Sequence, residues 1–129
     1  MDTNEHESKV MYAEEVYQII GFSMNLLKAV GHGFHEKIYE NGLVVDFKQE
    51  SIEYLQQPEY KIDYRGEILG VFIPDLISHG KIVIDTKTID RITDHERGKM
   101  LNYLRTTEMR LGLIINFKHA KLEWERIVL

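Results

Sequence analysis

Two aspartates and a lysine lie within an otherwise apolar segment, FIPDLISHGKIVIDTK at residues 72–87. Isoleucine, valine, leucine and phenylalanine dominate this segment, as they do in strands that are buried on both faces. Because an unpaired buried charge is strongly destabilising, Asp75, Asp85 and Lys87 must either satisfy one another or hold a ligand. Paired carboxylates bind a divalent cation, and a lysine beside them faces a substrate anion or an attacking water. The segment therefore carries the residue types of a hydrolytic metal site.

The register of the strand pair decides whether the two carboxylates meet. Side chains alternate along a strand, so Asp85 and Lys87 point to the same face. With a three-residue loop at residues 78–80, Asp75 falls opposite Val83. It then shares a face with Asp85 as a diagonal neighbour, roughly 7–8 Å away at the backbone. A two-residue turn would place Asp75 on the other face and separate the carboxylates.

Two interpretations of these charges remain open at this stage. Two neighbouring carboxylates repel and raise the pKa of each other, and a divalent cation removes the repulsion. An ammonium group between them does so only in part. The alternative is a buried network of Asp75, Asp85 and Lys87 that contributes to packing alone.

A third acidic residue precedes the segment, in GFHEKIYENGL at residues 33–43. Glu36 and Tyr39 are three positions apart and therefore lie on one face of a helix. Glu40 lies beside them and is the competing candidate. A glutamate in a first turn commonly serves the helix dipole. Together with the two aspartates, Glu36 is predicted to be the third carboxylate of the site.

The elements that position these residues follow from periodicity and turn signals. Apolar residues at helical spacing predict helices over about 10–30 and 34–50, and a third helix spans residues 94–107. Arg65-Gly66 and His79-Gly80 are turn signals that divide the β-rich segment after the second helix into three antiparallel strands. Two further strands are predicted at 110–117 and 121–129. The order is α-α-β-β-β-α-β-β, an α/β (α+β) fold with a mixed central sheet of about five strands flanked by helices.

Length and composition define the class of protein. The 129 residues predict one domain over residues 1–129, with residues 1–9 as a flexible tail. The chain has no cysteine, which excludes disulfides, a thiolate zinc site and a cysteine nucleophile. Any metal would then be held by carboxylates and histidine, which favours Mg²⁺ or Mn²⁺. No apolar run is long enough to span a membrane, and the polar start differs from a signal peptide. A cytoplasmic protein is expected.

The net charge of -5 is unevenly distributed. Residues 1–60 carry eleven acids and four bases, whereas residues 61–129 carry ten acids and twelve bases. Two acids of the second part are the site aspartates, which a bound metal would neutralise. The distribution permits a nucleic-acid partner without requiring one.

Three motifs in this chain resemble one known family. GFHEKIY at residues 33–39 resembles the signature of the bacterial GxxExxY proteins, which are assigned to the PD-(D/E)XK nuclease superfamily. Pro74-Asp75, followed after nine residues by Asp85-Thr86-Lys87, matches the motif that names the superfamily. NYLRTTEMRLGLIINF at residues 102–117 is similar to a block that follows the core strands in the family. The resemblance covers about residues 10–127.

The resemblance implies a restriction-endonuclease-like core and a Mg²⁺- or Mn²⁺-dependent nuclease. Carried over to this chain, Asp75 is the central metal ligand and Asp85 the second strand ligand. Glu36 is the helical ligand or accepts from a metal-bound water. Lys87 orients the water and stabilises the negative charge that develops on the phosphate. DNA is the favoured substrate, and RNA is the alternative.

The helix after the core departs from the family pattern. Relatives carry a glutamine four residues before the tyrosine, whereas this chain has Lys99 before Tyr103. A lysine cannot accept a hydrogen bond, but it can contact a phosphate as a point charge. Alternatively, Lys99 takes the metal position or pairs with Asp75, which leaves a nuclease fold without nuclease activity. His95 on the same helix and Tyr39 complete the predicted site-supporting residues.

Two hypotheses from different classes follow. The first is a metal-dependent nuclease, and the second is an inactive nuclease-fold module that binds nucleic acid or a partner protein. Self-association into a homodimer is open under either, and no membrane partner is expected.

Overall fold

A computed structural model describes residues 11–129. The predicted flexible tail at residues 1–9 lies outside the described residues, as does the predicted start of the first helix at residue 10. The helices are α1 (Ala13–Val30), α2 (Glu36–Gln49) and α3 (Asp94–Thr107). The strands are β1 (Tyr54–Gln56), β2 (Tyr60–Tyr64), β3 (Glu67–Phe72), β4 (Leu76–Ser78), β5 (Ile82–Lys87), β6 (Leu111–Asn116) and β7 (Glu123–Val128). In this part of the chain, no helix combines the length and apolarity needed to cross a membrane.

Five strands form the central sheet in the order β1-β4-β5-β6-β7. β5 and β6 are parallel, and α3 provides the crossover between them, while the other neighbours are antiparallel. The predicted mixed sheet of about five strands flanked by helices is therefore confirmed.

The β-rich segment before α3 contains five strands rather than the predicted three. β2 and β3 leave the central sheet and pair only with each other as a hairpin. Gln57 has a left-handed backbone (φ 52°) and Pro58 follows it, so the chain turns away after β1. Pro74 has no N–H to donate to a ladder, which separates β3 from β4. The two prolines therefore divide one apparent strand region into separate pieces.

The core has two halves, one on each face of the sheet. On one face, α1 and α2 bury a cluster that includes Ile19, Leu43 and Phe47 against Ile82 and Ile84 of β5. On the opposite face, α3 covers a second cluster, whose members include Val83, Met100, Leu104 and Ile114. Alternation along β5 directs Asp85 and Lys87 to the same face as Val83, which is the α3 side.

Side-chain caps fix where the two site-bearing helices begin. The His35 Nδ1 atom accepts a hydrogen bond from the Lys37 backbone N–H at 3.2 Å, which starts α2 with Glu36 as its first residue. Thr93 starts α3 through a capping box with Glu96, in which each side chain bonds the other's backbone N–H. Thr93 is therefore the N-cap residue of α3.

Candidate active site

The β4–β5 hairpin places the two aspartates side by side. Its pairs are Leu76 with Ile84, Ile77 with Val83, and Ser78 with Ile82. The three-residue loop is therefore 79–81 rather than 78–80, and its backbone is left-handed at His79 and Gly80. One step beyond the last pair, Asp75 lies opposite Asp85. The predicted pairing of Asp75 with Val83 was wrong, but the loop length keeps both carboxylates on one face.

The Asp75 carboxylate is fixed against β5. Its Oδ2 atom accepts hydrogen bonds from the Thr86 backbone N–H at 2.8 Å and the Thr86 hydroxyl at 3.0 Å. The Asp75 backbone carbonyl accepts from the Gln57 N–H at 2.9 Å. Because both ends of the residue are held, the orientation of its carboxylate does not depend on a bound ligand.

The Asp85 carboxylate lies between a like and an opposite charge. Lys87 Nζ is 3.3 Å from Asp85 Oδ2, and the side chains are 24% and 16% exposed, respectively. Burial, together with the neighbouring Asp75, raises the pKa of Asp85 to about 7 despite the attraction of Lys87. Burial also raises the pKa of Asp75, against the hydrogen bonds from Thr86. Without a cation, the two carboxylates therefore resist full ionisation.

The Lys87 ammonium remains a cation at neutral pH. Burial is the largest single influence and lowers its pKa, but attraction to Asp85, Glu36 and Tyr103 outweighs burial, and the pKa is raised. A lysine with a raised pKa does not act as a base near pH 7. It acts as a fixed positive charge and hydrogen-bond donor.

One pocket of about 180 Å³ is lined by Glu36, Asp75, Asp85, Lys87 and Tyr103. These side chains come from the first turn of α2, the loop before β4, the end of β5 and the middle of α3. The structure thus brings together the three predicted carboxylates, the predicted lysine and one of the predicted supporting residues. Phe72 at the end of β3 forms another wall, because its ring stacks on Tyr103 with centroids 4.0 Å apart.

The sequence did not point to two residues that shape this pocket. Thr86 lies between the motif residues, and strand alternation directs its side chain away from the face of Asp85 and Lys87. Its role depends on the bend that brings Asp75 back to β5. Phe72 ends a hairpin whose turn at Arg65-Gly66 was predicted, but the sequence did not show that this hairpin leaves the central sheet, so the stacking of Phe72 on Tyr103 had no sequence signal.

Tyr39 supports the turn before α2 rather than lining the pocket. Its buried hydroxyl donates to the Gly31 carbonyl at 2.7 Å and accepts from the Phe34 N–H at 3.0 Å. Its ring stacks on Phe117 with centroids 4.3 Å apart. The residue therefore fixes the position of the helix that carries Glu36.

Tyr39→Phe is expected to lower the free energy of unfolding by about 0.5–1.5 kcal/mol, because two partly buried backbone groups lose their hydrogen bond to the hydroxyl. Activity per folded molecule should change little, since the ring and its stacking remain. Chemical denaturation measures the first effect, and a cleavage assay well below the melting temperature measures the second. A stable variant with lost cleavage would contradict this structural role.

The competing acid, Glu40, is buried beside the pocket and has three donors. Its carboxylate accepts from Lys37 Nζ at 2.7 Å, Gln56 Nε2 at 2.6 Å and Gln57 Nε2 at 3.3 Å. Its charge contributes to the raised pKa of Asp75. Between the two helical acids, Glu36 is the one that lines the pocket, and Glu40 ties α2 to the end of β1.

Lys99 and His95 are exposed on α3, and neither belongs to the residues that line the pocket. The Asp75 carboxylate accepts its hydrogen bonds from Thr86. Within residues 11–129, it forms no ion pair with Lys99. The structure therefore does not bring these two predicted supporting residues into the site.

Two of the three pocket carboxylates, those of Asp75 and Asp85, suit a hard divalent cation. Within the described chain, no group of three or more histidine, aspartate or glutamate side chains is arranged to hold a metal. Whether Glu36 is a direct ligand or accepts from a metal-bound water therefore stays a prediction. Two adjacent carboxylates with raised pKa values do fit Mg²⁺ or Mn²⁺, because such ions use one or two carboxylates and retain several waters.

Comparisons with known proteins agree with this fold. The family model of the PD-(D/E)XK nuclease superfamily matches residues 13–127. Among solved structures, the protein SSO0001 superposes with a TM-score of 0.57 and 19% sequence identity, over 71% of this chain and 48% of SSO0001. The chain thus spans about half the length of that protein, and the likeness concerns the fold alone. No functionally curated protein matches the sequence.

Proposed function

The chain belongs to the PD-(D/E)XK nuclease superfamily, and we propose that it hydrolyses phosphodiester bonds of nucleic acid with Mg²⁺ or Mn²⁺ as cofactor. The observation that carries this proposal is the pocket in which Glu36, Asp75, Asp85 and Lys87 meet. DNA is the favoured substrate, RNA is the alternative, and a cytoplasmic setting is part of the proposal. On the motif at residues 33–39, we further place the chain in the GxxExxY group.

The two aspartates would hold the cation, since they are the oxygen donors in mutual contact. When bound, a divalent cation activates water and neutralises charge on the phosphate. Asp75 is suited to this because Thr86 fixes its orientation. Asp85 is suited because burial and the neighbouring Asp75 raise its pKa, and a bound cation would favour its ionised form.

Lys87 supplies electrostatic stabilisation in this proposal. Its protonated amine can donate to a phosphate oxygen, where negative charge develops during cleavage. Glu36 lies at the same pocket without belonging to the aspartate pair, so it is placed to accept a proton or hydrogen bond from the attacking water. Tyr103 and Phe72 form the aromatic wall of the pocket on the α3 side.

A second candidate is an inactive nuclease-fold module that binds nucleic acid or a partner protein. Two observations favour it. Asp85 and Lys87 already pair with each other at 3.3 Å. The described residues also contain no three-acid metal cluster. In this case the charges would form a packing network.

A cleavage panel separates the two candidates. Single- and double-stranded DNA and RNA, each in linear and circular form, would be incubated with Mg²⁺, Mn²⁺ or a chelator. The nuclease proposal expects metal-dependent products with the natural chain and none with Asp75→Asn. Binding of substrate without cleavage under every condition would instead support the inactive module.

A further inference from the structure

The β2–β3 hairpin stands apart from the central sheet and exposes apolar side chains. Tyr64 is 57% exposed and Leu69 is 67% exposed. β2 pairs only with β3, and among the described residues its backbone makes no hydrogen bond outside this hairpin. The outer edge of β2 is therefore open, and an open edge is a site for pairing with another strand.

The sequence of β2, YKIDY, is complementary to that of a second β2 strand placed antiparallel beside it. Consider a dimer in which two β2 strands pair antiparallel about a two-fold axis perpendicular to the sheet. The rotation keeps each side chain on its own face of the sheet, so two residues that lie opposite each other must belong to the same face of β2. A centre at Ile62 satisfies this condition. It places Lys61 opposite Asp63 of the second copy, and Tyr60 opposite Tyr64 of the second copy. Opposite-charge and aromatic pairs of this kind stabilise antiparallel strands.

The other long edges in the described chain lack this property. β7 ends the central sheet, and a centre at Trp124, Glu125 or Arg126 would oppose like charges. β3 carries an extra residue, Leu69, at the irregularity in its pairing with β2, which interrupts its edge. β1 has three residues. β2 is thus the edge whose charges and regularity suit a symmetric partner.

We propose that two copies of this chain associate through β2, centred on Ile62, so that the two hairpins form one four-stranded sheet. A second copy suits this edge better than nucleic acid, because the hairpin carries two bases, Lys61 and Arg65, and two acids, Asp63 and Glu67. A balanced charge gives no attraction for phosphate. Such a dimer would form whether or not the chain cleaves nucleic acid.

The edge is accessible, and it is connected to the candidate site. A recess of about 260 Å³ between β2 and the end of α3 borders the edge, with Lys61, Ile62 and Arg105 among its lining residues. At its other end, the hairpin finishes in Phe72, which lines the active-site pocket. In the dimer, one four-stranded sheet would therefore carry the Phe72 side chains of both active-site pockets.

Cysteine cross-linking tests the predicted centre, since the natural chain has no cysteine. Ile62→Cys should form a disulfide-linked dimer under mild oxidation, because directly opposed strand residues lie within disulfide range. Leu69→Cys is the matched control, since Leu69 is exposed on the same hairpin but far from the axis. Equal cross-linking of both variants, or of neither, would overturn the proposal.

Charge reversal tests the predicted pairs by sedimentation equilibrium of the full chain. Lys61→Asp and Asp63→Lys should each raise the dimer dissociation constant about tenfold or more, because two attractive pairs become repulsive. The double variant K61D/D63K should restore association, which a folding defect would not allow. A natural chain that stays monomeric at all concentrations, or a double variant that stays dissociated, would refute the β2 dimer.

Discussion

Lys87→Ala is expected to slow phosphodiester cleavage by about 10²–10³-fold, which is typical for the loss of one group that stabilises a developing negative charge. Its amine lies in the pocket beside Asp85 and keeps its proton at neutral pH. The fold should survive, because the Asp85 carboxyl can bind a proton when its counter-charge is removed. Single-turnover cleavage with saturating Mn²⁺ measures the effect on the chemical step.

Lys99→Ala provides the matched control for this result. It removes the same charge and the same side chain from an exposed position outside the pocket. Cleavage should remain close to that of the natural chain, apart from a small, salt-dependent loss of affinity. Equal losses in both variants would show that Lys87 has only a general electrostatic effect, and full activity of the Lys87 variant would remove it from the site.

The charged hairpin of the site could be predicted from strand alternation, but its register could not. Ser78 has the character of a loop residue, so the loop was assigned to 78–80. In the structure Ser78 is buried in β4, where its hydroxyl is bonded to His79 Nδ1 at 3.0 Å. This local hydrogen bond makes a polar residue acceptable in a core strand. The shared face of the aspartates was predictable because a three-residue loop preserves it at either position.

The choice among neighbouring polar residues required tertiary structure. Glu36 and Glu40 lie one turn apart, and the sequence does not show that Gln56 and Gln57 converge on Glu40. Lys99 is likewise one turn from Tyr103, yet it faces solvent. Helical periodicity indicates a face only approximately, so the distinction depends on which strands pack beside the helix.

The aspartate pair should make the metal-free protein less stable as the pH rises. In the folded state, the pKa of Asp85 is about 7, against 3.8 for an ordinary aspartate. The folded state therefore binds more protons than the unfolded chain between these values, and stability falls across that interval. Each pKa unit corresponds to about 1.4 kcal/mol, so the loss amounts to a few kcal/mol. The proton belongs to the Asp75–Asp85 pair, which Lys87 and Tyr103 also face.

Asp85→Asn should therefore stabilise the metal-free protein at pH 8 while removing its response to metal. The neutral amide ends the repulsion with Asp75, and Lys87 retains hydration because it is 24% exposed. At pH 5 the variant and the natural chain should be similar. Millimolar Mn²⁺ at pH 8 should raise the melting temperature of the natural chain, because the ion binds only the folded state. The D85N protein should show no such increase.

Asp46→Asn is the matched control for the pH and metal experiment. Burial also raises the pKa of Asp46, but this residue lies towards the end of α2 and does not line the pocket. Its replacement should leave the Mn²⁺ response intact. A flat stability profile of the natural chain between pH 4 and pH 8 would contradict the raised pKa of Asp85. An undiminished Mn²⁺ response of D85N would show that the cation binds elsewhere, and the aspartate pair would then be a packing network.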